Sequence, residues 1–450
     1  MPKHHKVSSL LALILVLSVT AACQVSNQNP IIKETIPADG EIAGVTSSIG
    51  ITFNKAVDAA SLEKAFSISP EVDGAFAWDD NTVWFNPARP LIPNTAYQVR
   101  ISGDVNTLEN ETIRLNLRWD FSVREPELLY YQLAGEWGEI WRATADGQNQ
   151  RPLTETGGRV IDYATDPPGD LILYSVYNEM GGSDLWVMDR AGKDKRTLVN
   201  CYRDICREGT WSKDSAQIAY TREIANPEIS GSSPSQIWML NVNTGDTAQF
   251  NRADNPATGY SPSFSPDGKI LAYYDPEALG IRGIDLESSQ AFFYPTTSPG
   301  SGGWSPDSSK IIFTDVVPAE HEPFVEVVVA DLASQEVTPA FGDPIRDTEF
   351  SQPRWSPDGD WVALGLRPVN SSISKALWAL QIGSERQRLI EDEPSATFSA
   401  YQWDPWGQRL VYQRLELGFS PSQISIWVWD WESGQSRQII ENGGRPIWLP

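Results

Sequence analysis

Few residues of this 450-residue chain are of the types that most often carry out chemistry. Two of its three histidines, His4 and His5, lie at the charged N-terminal end, so a Ser-His-Asp triad would have to use His321. His321 lies in the charged stretch Pro318-Ala-Glu-His-Glu-Pro323, which is typical of an exposed loop. The sequence has no Gly-x-Ser-x-Gly elbow and no zinc-binding signature. We therefore expect a protein that is not an enzyme and that has no cofactor and no metal.

Carboxylates are the remaining candidates for catalysis, because the chain has 59 aspartates and glutamates. Four aspartates recur at equivalent positions of a repeated phrase: Asp214, Asp267, Asp307 and Asp358. Each stands in a turn directly before a hydrophobic strand, where an aspartate commonly accepts hydrogen bonds from its own turn. This position favours a structural role. The alternative is a carbohydrate-active enzyme, which would need two carboxylates about 5–10 Å apart in a central funnel.

Cys201 and Cys206 are the two ends of the stretch Cys-Tyr-Arg-Asp-Ile-Cys. Five positions along a turn can bring two Cα atoms within bonding reach, and disulfides persist in exported proteins. A metal site is disfavoured because two thiolates alone do not fill a tetrahedral shell. We expect a small local disulfide, and the alternative is a pair of free thiols.

A repeated phrase organises the region that carries these residues. Six copies begin at residues 165, 211, 264, 304, 355 and 403, in steps of 40 to 53 residues. The clearest are Phe264-Ser-Pro-Asp-Gly268, Trp304-Ser-Pro-Asp-Ser308 and Trp355-Ser-Pro-Asp-Gly359. Each copy contains the residue types that favour a β-turn, and it is followed by strands rich in β-branched and aromatic residues. This period suits the four short strands of one β-propeller blade.

The two ends of the repeated region complete one another. The stretch after Pro126 begins with a strand at 128–133 that resembles the second strand of a repeat, and the strand that should carry the repeated phrase is missing before it. The given sequence ends with Gly444-Arg-Pro-Ile-Trp-Leu-Pro450, which resembles that missing first strand. Joining them gives one composite blade, so we predict a seven-bladed β-propeller at 127–450 closed by N- and C-terminal strands. Such closure leaves no long unpaired sheet edge.

The first 22 residues are predicted to be a signal peptide, with a charged start and an apolar run at 9–19. The following Val19-Thr-Ala-Ala-Cys23 resembles the lipobox of bacterial lipoproteins. That resemblance implies cleavage before Cys23, lipidation of its thiol and a membrane-anchored chain with a tether at 23–29. The alternative is an ordinary signal peptide with a coincidental cysteine.

Residues 30–124 show short strands without the repeated phrase, as in a β-sandwich. Four phrases occur in order: Pro37-Ala-Asp-Gly40, Ile51-Thr-Phe-Asn-Lys-Ala-Val-Asp58, Phe85-Asn-Pro-Ala-Arg-Pro-Leu91 and Asn94-Thr-Ala-Tyr-Gln-Val99. Together they resemble the SbsA-type bacterial Ig-like domain, which implies a spacer or adhesion module. The linker Arg124-Glu-Pro-Glu127 is short enough to restrict the orientation of the two domains.

The repeats themselves resemble the WD-type repeat of TolB-like β-propellers, which implies binding of other proteins. The net charge is −24, and nothing in the sequence provides the basic stripe that nucleic-acid binding needs. We therefore expect an all-β envelope lipoprotein that acts as a binding or scaffolding module for envelope proteins. Its binding loops are predicted at Thr221–Ser235, Val316–Pro323 and Arg367–Ser374.

A glycan- or small-ligand-binding propeller is the second alternative, and an exposed ring of aromatics would favour it. Most of the eighteen tryptophans occupy equivalent repeat positions, so we expect them to pack between blades. The less regular ones are Trp137, Trp361, Trp406, Trp429 and Trp431.

Overall fold

The computed structural model describes residues 31–134, 137–226, 231–252, 255–317, 324–341, 348–351, 353–369, 374–418 and 423–450. Within these ranges no helix is long and apolar enough to cross a membrane. The fold is almost entirely β-structure, as the sequence predicted, and it consists of a β-sandwich followed by a β-propeller.

The sandwich contains eight strands and one short helix. They are β1 Ile32–Ile36, β2 Ile42–Ala43, β3 Ile49–Phe53, α1 Ala59–Ala65, β4 Phe66–Ser69, β5 Gly74–Asp79, β6 Thr82–Pro87, β7 Ala96–Asn106 and β8 Thr112–Val123. Two four-stranded sheets result, with strand orders β1-β3-β6-β5 and β2-β8-β7-β4. Alternating residues of β3, β6, β7 and β8 fill the core between them, as the period of a half-buried strand requires. The helix, which the sequence did not predict, is capped by Asp58, whose carboxylate accepts the amide of Ser61.

The propeller contains the remaining strands. In chain order they are β9 Glu127–Ala134, β10 Trp137–Thr144, β11 Arg151–Pro152, β12 Val160–Thr165, β13 Leu171–Tyr177, β14 Ser183–Asp189, β15 Arg196–Val199, β16 Ile205–Trp211, β17 Gln217–Glu223, β18 Ala225–Asn226, β19 Gly231–Ser232, β20 Gln236–Asn241, β21 Thr247–Gln249, β22 Asn251–Arg252, β23 Asn255–Pro256, β24 Tyr260–Phe264, β25 Ile270–Asp275, β26 Gly280–Asp285, β27 Ala291–Pro295, β28 Gly303–Trp304, β29 Lys310–Val317, β30 Phe324–Asp331, β31 Val337–Pro339, β32 Thr348–Phe350, β33 Arg354–Trp355, β34 Trp361–Pro368, β35 Ala376–Gln381, β36 Gln387–Glu391, β37 Ala396–Trp403, β38 Arg409–Glu416, β39 Gln423–Asp430, β40 Gln435–Glu441 and β41 Gly443–Leu449.

These strands form seven antiparallel blades around a central channel. The first blade is β41-β9-β10-β11, and the second is β12 to β15. The third is β16-β17-β20-β21, the fourth β24 to β27, the fifth β28 to β31, the sixth β32 to β36 and the seventh β37 to β40. Buried residues of facing blades pack together between the sheets, for example Leu173, Leu185 and Trp211 of the second and third blades.

The ring closes inside the first blade, as the sequence predicted. Strand β41 pairs antiparallel with β9, with Trp448 opposite Leu128 and Leu449 opposite Glu127. Trp448 is buried against the neighbouring blade. The count of seven blades and the closure by strands from both ends of the chain are therefore confirmed.

The alternating strand directions give the ring two different faces. We call the face that carries the turns after the first and third strand of each blade the lower face; residues 166–169 form one such turn. The upper face carries the connections after the second and fourth strands, such as residues 178–182 and 200–204. The three predicted binding loops follow second strands in the chain, so their described parts, at 224–226, 231–235, 369 and 374, belong to the upper face.

Candidate functional site

The sandwich is seated on the lower face, and Arg124 is the centre of that contact. Its guanidinium donates to the carbonyl of Ile42 in the sandwich (3.1 Å), to that of Pro168 in the second blade (2.6 Å) and to that of Pro450 after β41 (3.1 Å). It also lies 2.6 Å from the carboxylate of Asp170. One side chain thus joins the sandwich, the closing strand and the next blade.

Two further arginines surround the start of the propeller. Arg190 and Arg142 lie 3.0 and 3.2 Å from the same carboxylate oxygen of Glu127. Burial, together with the nearby positive charge of Arg124, lowers the pKa of Arg190 to about 10. Since Arg190 also donates to the carbonyl of Pro450, this cluster fixes the end of β41 against the first two blades.

Direct packing adds to these polar contacts. The indole of Trp406, in the lower-face turn of the seventh blade, packs against the hydrophobic core of the sandwich. At Gly44 a Cβ atom would stand 2.1 Å from the carbonyl oxygen of Pro168, so only glycine allows this approach. Thr46 donates a 2.7 Å hydrogen bond to the carbonyl of Pro167. The sandwich therefore covers part of the lower face in one defined orientation.

Beside these contacts between the domains, a cleft of about 760 Å³ separates the sandwich from the turns of the second, third and fourth blades. Trp84 lines it, and its ring lies across Gly50, whose position leaves no room for a Cβ atom. Ile42 and Leu286, both exposed, line the same cleft. The cleft is concave and partly apolar.

The wall of the central channel is built from the innermost strands, and several of them carry a bulge at the same position. Register shifts occur in the pairings of β16, β24, β37 and β41. The bulged residues Glu208, Ser261, Ala400 and Arg445 have φ values between 49° and 55°. An L-residue rarely adopts this left-handed conformation, and its recurrence marks a bulge built into the repeat.

Two carboxylates at the channel, Asp162 and Glu208, are held by hydrogen bonds within and between blades. Asp162 accepts from the Ser175 hydroxyl and, at 2.8 Å, from the amide of Glu208. Glu208 accepts from the Thr221 hydroxyl at 2.9 Å and from the Ser261 amide at 2.8 Å. Burial raises the pKa of Asp162, and its hydrogen bonds oppose that rise. The hydrogen bonds of these two carboxylates join the second, third and fourth blades.

The four repeated aspartates have a structural role, as we expected from their position. In each turn the serine two residues earlier donates to the aspartate, at 2.5 Å for Asp214 and Asp267 and at 2.6 Å for Asp307; the Ser356–Asp358 pair makes the same bond. That serine also accepts an amide from the start of the following strand, for example Ile270 at 3.0 Å. These hydrogen bonds fix the turn to the following strand on the lower face.

The irregular tryptophans that the structure describes do not form an exposed ring. Trp429 is buried, and Trp361 and Trp431 are partly buried in the same cluster, with ring centroids of Trp361 and Trp431 4.8 Å apart. Trp406 contacts the sandwich. The side chain of Trp137 lies outside the described residues. These positions provide packing between blades and domains.

The cysteine loop projects from the upper face. Cys201 and Cys206 form a disulfide, with Cα atoms 6.3 Å apart. The Cys201 amide donates to Asp184 at 2.8 Å, and the Asn178 amide nitrogen donates to the carbonyl of Tyr202 at 2.7 Å. Held in this way, the loop presents Tyr202 with 65% of its surface exposed, beside a cleft of about 760 Å³ lined also by Met180 and Arg222.

The sequence did not single out Tyr202, although an aromatic residue inside a short disulfide loop is a usable signal. Other predicted residues cannot be placed, since Cys23, His321 and residues 227–230, 318–323 and 370–373 of the predicted binding loops lie outside the described residues. Among the described residues, no group of three or more metal-binding side chains is arranged to hold a metal ion.

Comparison with known proteins supports this two-domain architecture. Residues 26–123 match the bacterial Ig-like domain family, which confirms the predicted domain type. No curated protein sequence matches the chain.

Solved structures similar to the chain are β-propeller proteins of low sequence identity. The β-propeller domain of the Trilobed protease from Pyrococcus furiosus has a TM-score of 0.50 and 13% identity, over 78% of this chain and 93% of that one. An acylaminoacyl peptidase has the same TM-score and identity, over 78% of this chain and 51% of that chain. TolB from Acinetobacter baumannii has a TM-score of 0.42 and 14% identity, over 86% and 83%. The two similarities with a TM-score of 0.50 concern the fold alone.

Proposed function

We propose that this chain is an extracytoplasmic lipoprotein, anchored to a membrane by lipid on Cys23, whose propeller binds another protein of the cell envelope. The bacterial Ig-like domain supports the location, because domains of this type are common in envelope proteins. The signal-like residues 1–22 and the small residues before Cys23 support the anchor. The propeller would then act as a scaffold without catalysing a reaction.

The unequal use of the two propeller faces is the observation that carries this proposal. Arg124, Trp406 and Gly44 hold the sandwich on the lower face. The upper face points away from it and carries the longest connection after a second strand, the twelve residues between β17 and β20. The disulfide loop with Tyr202 lies on the same face. A partner would therefore approach from the upper side.

Physical reasons favour protein recognition by such a face. Loops displayed on a rigid scaffold lose little conformational freedom on binding, so more of the contact energy appears as affinity. Tyrosine, methionine and arginine are enriched at the centres of protein interfaces, and Tyr202, Met180 and Arg222 line one cleft of this face. The channel carboxylates Asp162 and Glu208, by contrast, are engaged in bonds between blades.

Loop replacement tests the proposal. Of the predicted loops Thr221–Ser235, Val316–Pro323 and Arg367–Ser374, the residues between strands, 224–235, 318–323 and 369–374, would each be replaced by a short glycine-asparagine turn. Envelope proteins that co-purify with the full chain would be identified by mass spectrometry. We expect a specific partner to be lost, while a matched replacement of the lower-face turn at 242–246 retains it. Unchanged co-purification after all three upper-face replacements would contradict the proposal.

The anchor is tested separately. In the native host, Cys23→Ala is expected to move the protein from the membrane fraction to the soluble extracytoplasmic fraction and to abolish labelling by a fatty-acid analogue. Retention of both the label and the membrane association in the variant would refute lipidation at Cys23.

A further inference from the structure

The cleft between the sandwich and the lower face of the propeller has an apolar wall that the core of the sandwich does not explain. On β6, Val83 and Phe85 are buried in that core, so Trp84 lies on the opposite face of the sheet, toward the cleft. Its neighbours on the adjacent strands are small, with Gly50 opposite it on β3 and Ala77 opposite it on β5. The indole lies across Gly50 and is only partly buried. The sheet thus presents an aromatic side chain where the outer face of a sandwich is normally polar.

Aliphatic side chains from both domains line the same cleft. Ile36 and Ile42 of the sandwich are 39% and 59% exposed, and Leu286, directly after the third strand of the fourth blade, is also exposed. The residues at the equivalent position of four other blades pack against hydrophobic clusters of the propeller; they are Val242, Leu332, Ile382 and Trp431. Leu286 differs from these four because it faces the cleft. Exposed apolar surface of two domains therefore converges on one concave site, which is the usual mark of a binding site.

The same cleft has an excess of negative charge. Its lining includes one lysine, Lys213, and five carboxylates, which are Glu41, Asp79, Asp170, Asp214 and Asp267. Arg124 lies 2.6 Å from Asp170 and balances its charge. Among the described residues, the other four carboxylates form no ion pair. A cleft lined by one sign of charge concentrates its field between walls of low dielectric constant, so this cleft attracts cations and repels anions.

We propose that this cleft binds a small organic cation that carries a hydrocarbon group, such as a primary amine with an aromatic ring. The hydrocarbon group contacts Trp84 and Ile42, whose burial by the ligand supplies the apolar part of the affinity. The ammonium group lies among the carboxylates of the cleft, and the face of the Trp84 indole attracts the same charge. A saccharide is disfavoured because the aliphatic side chains of the lining offer its hydroxyls no hydrogen bonds.

The size and rigidity of the cleft favour a small ligand over a folded partner. Its volume of about 760 Å³ lies within the range of roughly 300–1,000 Å³ that is typical of small-ligand sites. The contacts of Arg124, Gly44 and Thr46 with the second blade fix its two walls relative to one another. The cleft is therefore formed before a ligand enters, which lowers the entropic cost of binding. The inference is independent of the proposed protein partner, which approaches the opposite face.

Calorimetric titration of the full chain with three molecules that share one ring and differ in charge tests the proposal. The probes are phenethylamine, which is a cation at neutral pH, the neutral phenethyl alcohol and the anion hydrocinnamate, all at the same ionic strength. We expect saturable binding of one phenethylamine with a dissociation constant on the order of 1 mM. The alcohol is expected to bind about threefold more weakly, and the anion is expected to show no saturable binding.

Five variants make the test specific to this cleft. Trp84→Ala is expected to weaken phenethylamine binding about fivefold and Asp79→Asn about threefold, while Lys213→Gln should tighten it about twofold. Trp84 lies outside the hydrophobic core of the sandwich, so Trp84→Ala should fold, which circular dichroism verifies. Two matched controls, Phe293→Ala and Glu385→Gln, remove an exposed aromatic ring and an exposed carboxylate from other parts of the propeller. Both controls are expected to bind like the wild type.

The assignment is overturned by absence of saturable phenethylamine binding, by equal affinity of the Trp84→Ala and Asp79→Asn variants and the wild type, or by hydrocinnamate binding as tightly as the amine. Equal loss in the two control variants would also overturn it, because that result would show binding elsewhere on the propeller.

Discussion

Replacing Trp403 with phenylalanine is expected to destabilise the protein by about 3 kcal/mol more than the same replacement at Trp211. Both tryptophans occupy the same position of the repeat, and both are buried, with 6% and 5% of their surface exposed. They differ in one contact. The indole of Trp403 donates to the carbonyl of Arg354 in the preceding blade at 3.3 Å, whereas the indole nitrogen of Trp211 is buried without an acceptor among the described residues.

The magnitude follows from that difference. The two replacements remove the same atoms from equally buried sites, so the loss of hydrophobic burial and the cost of the cavity largely cancel. Trp403→Phe also removes a hydrogen bond that contributes roughly 0.5–1.5 kcal/mol. Trp211→Phe instead removes a buried donor whose missing partner costs about 1–3 kcal/mol. Together these effects give a difference of about 3 kcal/mol, with a range of roughly 1.5–4.5 kcal/mol.

Equilibrium unfolding in urea, followed by far-UV circular dichroism, measures this difference from the two transition midpoints and a shared slope. Trp355→Phe and Trp304→Phe form a second matched pair, because Trp355 donates to the carbonyl of Gly303 at 3.2 Å and the indole of Trp304 has no acceptor among the described residues. Equal destabilisation within both pairs, or a larger cost at Trp211 and Trp304, would refute a role for these bonds in joining the blades.

Three further predictions concern single sites. Burial raises the pKa of Asp166 to about 6, above the roughly 3.9 of an unfolded aspartate, so the stability it contributes is complete below about pH 4 and is lost as the pH rises through about 6. Asp166→Asn should flatten that part of the profile of unfolding free energy against pH, and an unchanged slope would contradict the assignment. Arg124→Ala should free the sandwich from the lower face and broaden the distance distribution in small-angle X-ray scattering, with Arg124→Lys intermediate; identical profiles would show that Arg124 does not set the orientation. Replacing Cys201 and Cys206 by serine should cost about 2 kcal/mol for so short a loop, measured by thermal unfolding, and the wild type should lose a similar amount under reducing conditions. No effect of either change would mean that the bond contributes nothing to stability.

The number of blades and their closure could be predicted from the sequence because both depend on local chemistry. A serine-proline-aspartate turn forms within a few residues, and its repetition marks each blade without knowledge of the fold. Trp448 at one end and Leu128 at the other belonged to incomplete repeats, and the structure pairs them.

The contacts between domains and between blades could not be predicted, because they join residues far apart in the chain. Nothing local to Arg124 indicates that it bonds Pro168 and Pro450. The same holds for Glu208, whose carboxylate accepts the amide of Ser261 in the next blade. Trp406 did carry a signal, since it replaces the usual aspartate of the lower-face turn, and the structure explains the change by its contact with the sandwich.

Site-specific photo-crosslinking in intact cells tests most directly the claim that the upper face binds an envelope protein. A photoreactive amino acid would be placed at position 202 on the upper face and, as a control, at the exposed position 288 on the lower face. We predict a discrete adduct with another envelope protein from position 202 and none from position 288. An adduct from position 288 alone, or none from position 202 and from the other upper-face connections, would contradict the account.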